Sequence, residues 1–165
     1  MIRSIVKYML VLTFFFCATG LPAQAQVLTP KPYGPPIGVE NAKKVAAVAI
    51  AEAKKNNWFM AVAIVDPSGT LVYYEKMDDT QTGSAVIAID KARTSALFKR
   101  PSKVFEEWVA GGGSGLRTLG LTGAMPIGGG VPLVSDGHII GAIGVSGDTS
   151  DHDGQCALAG AAILK

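Results

Sequence analysis

Reactive side chains are scarce in this chain. Its 165 residues include two cysteines and two histidines, and Asp, Glu, Lys and Arg together make up only 17%. One of the cysteines, Cys17, lies in an N-terminal apolar run that reads as an export signal. That leaves Cys156 alone, so no intramolecular disulfide and no cysteine-based metal site can be built. Long hydrophobic runs are lacking as well: the apolar stretch Met9–Ala18 is shorter than the ~20 residues that span a bilayer. No excess charge of one sign survives either. The first 25 residues hold Arg3 and Lys7 and no acid, so residues 26–165 carry 13 basic and 13 acidic side chains. This balance makes no electrostatic case for nucleic acid or for an anionic membrane surface.

The N-terminus has the order of a secretory signal peptide. Arg3 and Lys7 precede the apolar run with Phe14, Phe15 and Phe16. Then come the helix-breaking Gly20-Leu21-Pro22 and the small-residue pattern Ala23-Gln24-Ala25. Bulky phenylalanines before Cys17 do not fit a lipoprotein signal. The expectation is cleavage near Gln26 and a secreted or periplasmic protein with no stable membrane insertion. Residues 1–25 are then the signal, 26–37 a proline-rich arm, and 38–165 one domain. About 140 residues suffice for one real core but not for two. The arm reads as extended chain, with Pro30, Pro32, Pro35 and Pro36. It is expected to be a tether or to lie over a neighbouring subunit.

Periodicity sets the elements. Ala42, Val45, Ala46, Ala49, Ile50 and Ala53 form a helical stripe within Val39–Asn57. Ala47, Val48 and Ala51 widen it, predicting packing on more than one side, and Glu40–Lys44 is an i,i+4 pair. Met60–Asp66 and Thr70–Met77 read as strands joined by Pro67-Ser68-Gly69. Ser84–Phe98 reads as a helix capped by Ser84, with Asp90 and Arg93 one turn apart. Ser102–Ala110 is a shorter helix stopped by Gly111-Gly112-Gly113. Strands at Ile127–Val134 and His138–Val145 flank Asp136-Gly137, a strong two-residue hairpin signal. A last helix starts after Ser150, with Ser150 and Asp153 at capping-box spacing. Cys156–Leu164 is apolar nearly all round and predicted buried. The order α-β-β-α-α-β-β-α, with hairpin-linked strands, is an α+β domain with a central antiparallel sheet flanked by helices.

Few catalytic sets fit these residues. Gly144-Val145-Ser146-Gly147 lacks the G-x-S-x-G spacing of a nucleophile elbow. The glycine clusters at 111–113, 128–130 and 144–147 lack the Gly-Lys-Ser/Thr of a phosphate loop and the dinucleotide fingerprint. They read as tight turns and close backbone contacts, or as a backbone-lined floor that admits a flat ligand or another subunit. His152 between Asp151 and Asp153 is the one metal candidate, although acids at a helix start also complement the dipole.

Several motifs then fall in a familiar order: Ala88-Ile89-Asp90-Lys91-Ala92-Arg93-Thr94, Phe98-Lys99-Arg100-Pro101-Ser102, Gly128-Gly129-Gly130-Val131-Pro132-Leu133, and Asp136-Gly137-His138 through Gly147, with Asp153 after them. The run resembles the GlcG/HbpS-like family, also found as the C-terminal domain of PduO-type cobalamin adenosyltransferases. The resemblance spans about Tyr33 to Lys165. It implies a sheet flanked by helices, assembly into dimers or larger rings, and a link to tetrapyrroles. Secreted members bind haem, and haem degradation is attached to the family name.

Under that resemblance the implied cofactor is haem and the implied partner a tetrapyrrole or other small molecule. An axial ligand could be His138, His152, Met125, Tyr33 or Cys156. Arg93, Lys99, Arg100 or Arg117 could meet propionates. Gly129 and Gly130 would let a flat ligand approach, and Val131, Leu133 and Ile143 supply an apolar wall. Two other readings stand beside this one. An enzyme acting on a small carbonyl or hydroxy acid, or degrading haem, would use Asp90, Lys91, Ser146 or Asp153 as acid–base groups. A lysine base requires burial to lower its pKa. The third reading is an oligomeric accessory or scaffold subunit without a ligand.

Overall fold

Strand β1 (Ala61–Val65) is buried along its whole length, and its alternation sets the layers of the molecule. Val62 and Ile64 face one side of the sheet; Ala61, Ala63 and Val65 face the other. The structure is a computed structural model that describes residues 30–164. The remaining elements are α1 (Val39–Lys55), β2 (Leu71–Lys76), α2 (Ser84–Phe98), α3 (Lys103–Ala110), a 3-10 helix (Gly113–Gly120), β3 (Gly130–Ser135), β4 (His138–Ser146) and α4 (Ser150–Ala161). The sheet runs β2-β1-β4-β3 with every neighbouring pair antiparallel. The α+β class and the element order are those expected from the sequence. The 3-10 helix is an addition that no periodicity announced.

The two faces are packed differently. On one, Val62, Ile64, Ile143 and Val145 meet α1 and α4 through Val45, Ile50, Cys156 and Ala157. Fully burying a Val or Ile side chain is worth about 1.5–3 kcal/mol, so this face supplies most of the hydrophobic stabilisation. On the other, α2 lies on the sheet through small residues: Ala88, Ala92 and Ala96 against Ala61, Ala63 and Ala142. Gly144 belongs to this contact. A methyl group there would overlap the Ala88 carbonyl and the Ala92 amide. Helix α2 sits this close because β4 has no side chain at that point.

The arm is bonded to its own domain. β1 stops opposite Ala142, leaving the start of β4 with a free edge on that side. The arm fills it: the Ile139 N–H donates to the Pro32 carbonyl (2.8 Å), Gly34 N–H to Ile139 (2.9 Å) and Ile37 N–H to Ile140 (2.7 Å). Tyr33 forms a parallel bridge with Ile139, and its hydroxyl donates to the Ala96 carbonyl at 2.8 Å.

Some local expectations are corrected. Ser84 does not cap α2; Gly83 is the N-cap residue, and buried Ser84 is bonded to Ser146. Ser150 is already helical, and Thr149 caps α4 by accepting the His152 N–H. Asp153 turns inward instead of closing a capping box. α4 buries one stripe only, with Leu158 59% exposed. α1 likewise buries a single face, leaving Ala47 and Ala51 exposed. Glu40 pairs with Lys43 rather than Lys44. β3 begins at Gly130 and not at Ile127, because Glu106 and Ser102 draw the intervening backbone toward α3.

Candidate functional site

Lys91 and Asp153 form an ion pair inside the protein. The Lys91 Nζ lies 2.6 Å from Asp153 Oδ2, with the side chains 1% and 2% exposed. The ammonium also donates to the Val145 carbonyl at 3.2 Å, and Asp153 Oδ1 accepts the Asp148 N–H. Burial pushes the Asp153 carboxyl above the ordinary carboxylate range, while the Lys91 ammonium pulls it back. Ser146, another acid–base candidate, is buried against Ser84. Asp90 is paired with Arg93 at the surface of α2, at 3.6 Å. None of the four principal cavities is lined by Lys91, Ser146 or Asp153. Lys91 is buried as an acid–base role would need, but its ammonium is committed to Asp153 and lines none of these four cavities.

The glycine run at 128–130 is the other side of that pair. A Cβ on Gly129 would sit 2.6 Å from the Val145 carbonyl oxygen and 3.0 Å from Lys91 Nζ; one on Gly130 would overlap the Lys91 backbone. Gly129 also has φ +117, which glycine adopts freely. Two residues near the start of α3 tie the run down. Glu106 Oε2 accepts the Gly128 N–H at 2.6 Å, and Ser102 Oγ accepts the Gly130 N–H at 2.8 Å. The run is thus close-packed on its inner side. On its outer side Gly129 and Gly130 line a cavity of about 420 Å³ with Lys103, Ser150 and Asp151. Lys103 is neutralised there by Glu106 and Asp151, whose hydrogen bonds push its pKa up.

A second cavity, at the α2–α3 corner, has a different lining. A groove of about 470 Å³ is bounded by Pro30 and Lys31 of the arm, by Lys99, Arg100, Pro101 and Val104, and by Pro132, Val134 and Ile139 of the sheet. This lies within the range of about 300–1,000 Å³ typical of small-molecule pockets. Three cations rim an apolar interior, and no acid is among the lining residues. Each of the two at the helix end has a structural reason for its place. Lys99 ends α2 in the left-handed conformation (φ 56), and its Nζ lies 4.0 Å over the Tyr33 ring. Arg100 donates to the Phe98 carbonyl at 3.0 Å and stands over the Phe105 and Trp108 rings. Positive charge at a helix C-terminus is also favoured by the dipole.

The model of the family described as "Haem degrading protein HbpS-like" matches residues 37–162. The chain belongs to the HbpS-like family. Over 105 residues it is 44% identical to Protein GlcG of Escherichia coli, covering 64% of this chain and 77% of that protein. A double mutant of HbpS from Streptomyces reticuli has the same fold, with a TM-score of 0.73 and 28% identity over 90% of this chain and 98% of that one. The crystal structure of a PduOC:haem complex gives 0.70 and 26% over 79% and 96%.

The remaining candidates of this HbpS-like chain are scattered. His138 lies in a separate cavity of about 240 Å³ with Pro35, Ile37 and Asn41, its Nδ1 2.9 Å from the Asp136 carbonyl. His152 stacks on Trp58 (centroids 3.9 Å apart) and its Nδ1 meets Asp148 at 3.1 Å. Asp151, His152 and Asp153 point to three different partners, and no group of three metal-binding side chains occurs among the described residues. Cys156 is buried in the α1–α4 core. Met125 is held through its backbone N–H by Thr94. Arg93 donates to the Gly69 carbonyl, away from the groove. Arg117 lines a cavity of about 490 Å³ with Trp108 and the turn at Gly111 to Gly115. Val131 is on the outer cavity, and Leu133 and Ile143 are in the core. Lys99 and Arg100 alone of the named cations reach the corner groove. Sequence reasoning missed Lys31, whose contribution depends on the arm folding back, and Glu106, whose i−3 neighbour Lys103 gives no hint of Gly128.

Proposed function

We propose that the protein is an exported binder of haem or a related tetrapyrrole, serving sensing, storage or scavenging, and that the ligand lies in the corner groove. The observation that carries this reading is an apolar groove of about 470 Å³ rimmed by Lys31, Lys99 and Arg100 with no carboxylate. A tetrapyrrole presents a flat apolar body with carboxylates on one edge, and the groove offers the complement to both. Membership of a family described by haem, and the haem complex formed by the PduOC relative, support the choice of ligand class. A binding role fits better than catalysis because the acid–base candidates Lys91, Ser146 and Asp153 are spent on packing elsewhere. Export rests on the reading of residues 1–25, which lie outside the described residues. Assembly into dimers or larger rings belongs to the same proposal, through the family resemblance.

The lining residues fit the body and the carboxylates. They do not fit the iron, because none is His, Cys, Met or Tyr. No chemistry at the metal is therefore assigned to this chain. Titration with hemin tests the reading: a shifted Soret band that saturates at a defined stoichiometry is expected. Lys99→Gln/Arg100→Gln should weaken binding tenfold or more, since hydrogen bonds to charged groups are worth about 1.5–3 kcal/mol each. An unchanged spectrum at saturating hemin would reject it.

A further inference from the structure

We infer that the groove recognises its ligand through carboxylates and a flat apolar body, and not through the metal the ligand carries. This rests on the reading that the groove takes a tetrapyrrole, and it deepens that reading by making metal-free porphyrins and haem equivalent ligands.

The donor set of the groove motivates the inference. Its polar side chains are Lys31, Lys99 and Arg100, which are donors without a lone pair to offer while charged. Its walls are prolines and branched aliphatic residues. The side chains that could ligate iron lie elsewhere. His138 and Ile139 are successive residues of β4, so they point to opposite faces, and Ile139 is the one in the groove. His152 is occupied by Trp58 and Asp148. Cys156 lies in the core on the far side of the sheet.

Tyr33 touches the groove-lining Lys99, and its geometry gives it another role. Its hydroxyl is donated to the Ala96 carbonyl at 2.8 Å, and its ring face carries the Lys99 ammonium. Burial raises the Tyr33 pKa, which works against the phenolate that iron would need. Tyr33 is therefore a positioning residue. It fixes the arm against α2 and holds Lys99 at the rim.

The test compares three ligands on the intact protein, monitored by porphyrin absorbance and by tryptophan quenching: hemin, metal-free protoporphyrin IX, and protoporphyrin IX dimethyl ester. Hemin and protoporphyrin IX are expected to bind with Kd values within about threefold of each other. The dimethyl ester should bind at least about tenfold more weakly, because each lost carboxylate removes a charge-assisted contact. Tyr33→Leu should weaken both diacids together, and Tyr33→Phe, which keeps the ring under Lys99, should recover most of that loss. Binding of hemin with protoporphyrin IX tenfold or more weaker would overturn the inference and leave the tetrapyrrole reading standing. Failure of both diacids to bind would overturn that reading and this inference with it.

Discussion

Lys91 and Asp153 tie together helices that belong to separate hydrophobic clusters on the two faces of the sheet. Lys91 comes from α2 on one face of the sheet and Asp153 from α4 on the opposite face, yet their charged atoms are 2.6 Å apart. The meeting point lies beside Gly129 and the end of β4, where the absence of a side chain leaves room for the ammonium. Removing one partner of a buried pair strands the other's charge, at a cost of about 3–5 kcal/mol. Lys91→Met should therefore lose stability of that order in urea denaturation at neutral pH. Lys91→Met/Asp153→Leu, which removes both charges, should recover most of it. A single variant as stable as the parent would show that the pair does not hold the layers together.

Glu106 is expected to make the protein sensitive to acid. Burial pushes its carboxyl up, but hydrogen bonds from Lys103, the Gly128 N–H and Ser150 outweigh this and leave its pKa below the ordinary value. A carboxyl with a lowered pKa in the folded state stabilises fully above its unfolded value of about 4.3. That stabilisation is lost as pH falls through the folded pKa. Glu106→Gln should therefore be less stable than the parent at pH 7, with the gap narrowing steadily below about pH 4. A pH-independent gap in thermal denaturation would assign the effect to packing instead.

Cys156 should be chemically silent in the native protein. Burial, aided by the charges of Glu52, Asp153 and Asp148, pushes its thiol pKa up to about 12. The thiolate is the reactive form. Iodoacetamide at mildly alkaline pH should leave residue 156 unlabelled in buffer and label it fully in urea, read by peptide mass mapping. Rapid native labelling would mean that the α1–α4 core opens readily.

Much of the fold was legible because local rules and tertiary packing agree. The six residues of the α1 stripe are the six that α1 buries. Asp136-Gly137 forms the expected tight hairpin, with φ of 48° and 77°. Where expectations failed, a long-range partner had won. Ser84 by its position and Asp153 by its spacing from Ser150 have the chemistry of helix caps, but Ser146 and Lys91, 62 residues away in each case, claim them. The site was legible only in its cations. Lys99 and Arg100 stand out by charge after a helix, whereas Lys31 and Ile139 become neighbours only once the arm pairs with β4. The separation of His138 from the groove comes from a one-residue step along a strand, which composition does not encode.

The small-residue seam between α2 and the sheet has a consequence for how such a domain can diversify. With glycine at the minimum of bulk and alanine one methyl above it, residues such as Gly144 and Ala92 have little volume left to lose, and growth would pry the helix off. New specificities must therefore arise where elements end, at corners like the one formed by Lys99 and Arg100, while the interior stays nearly invariant in volume.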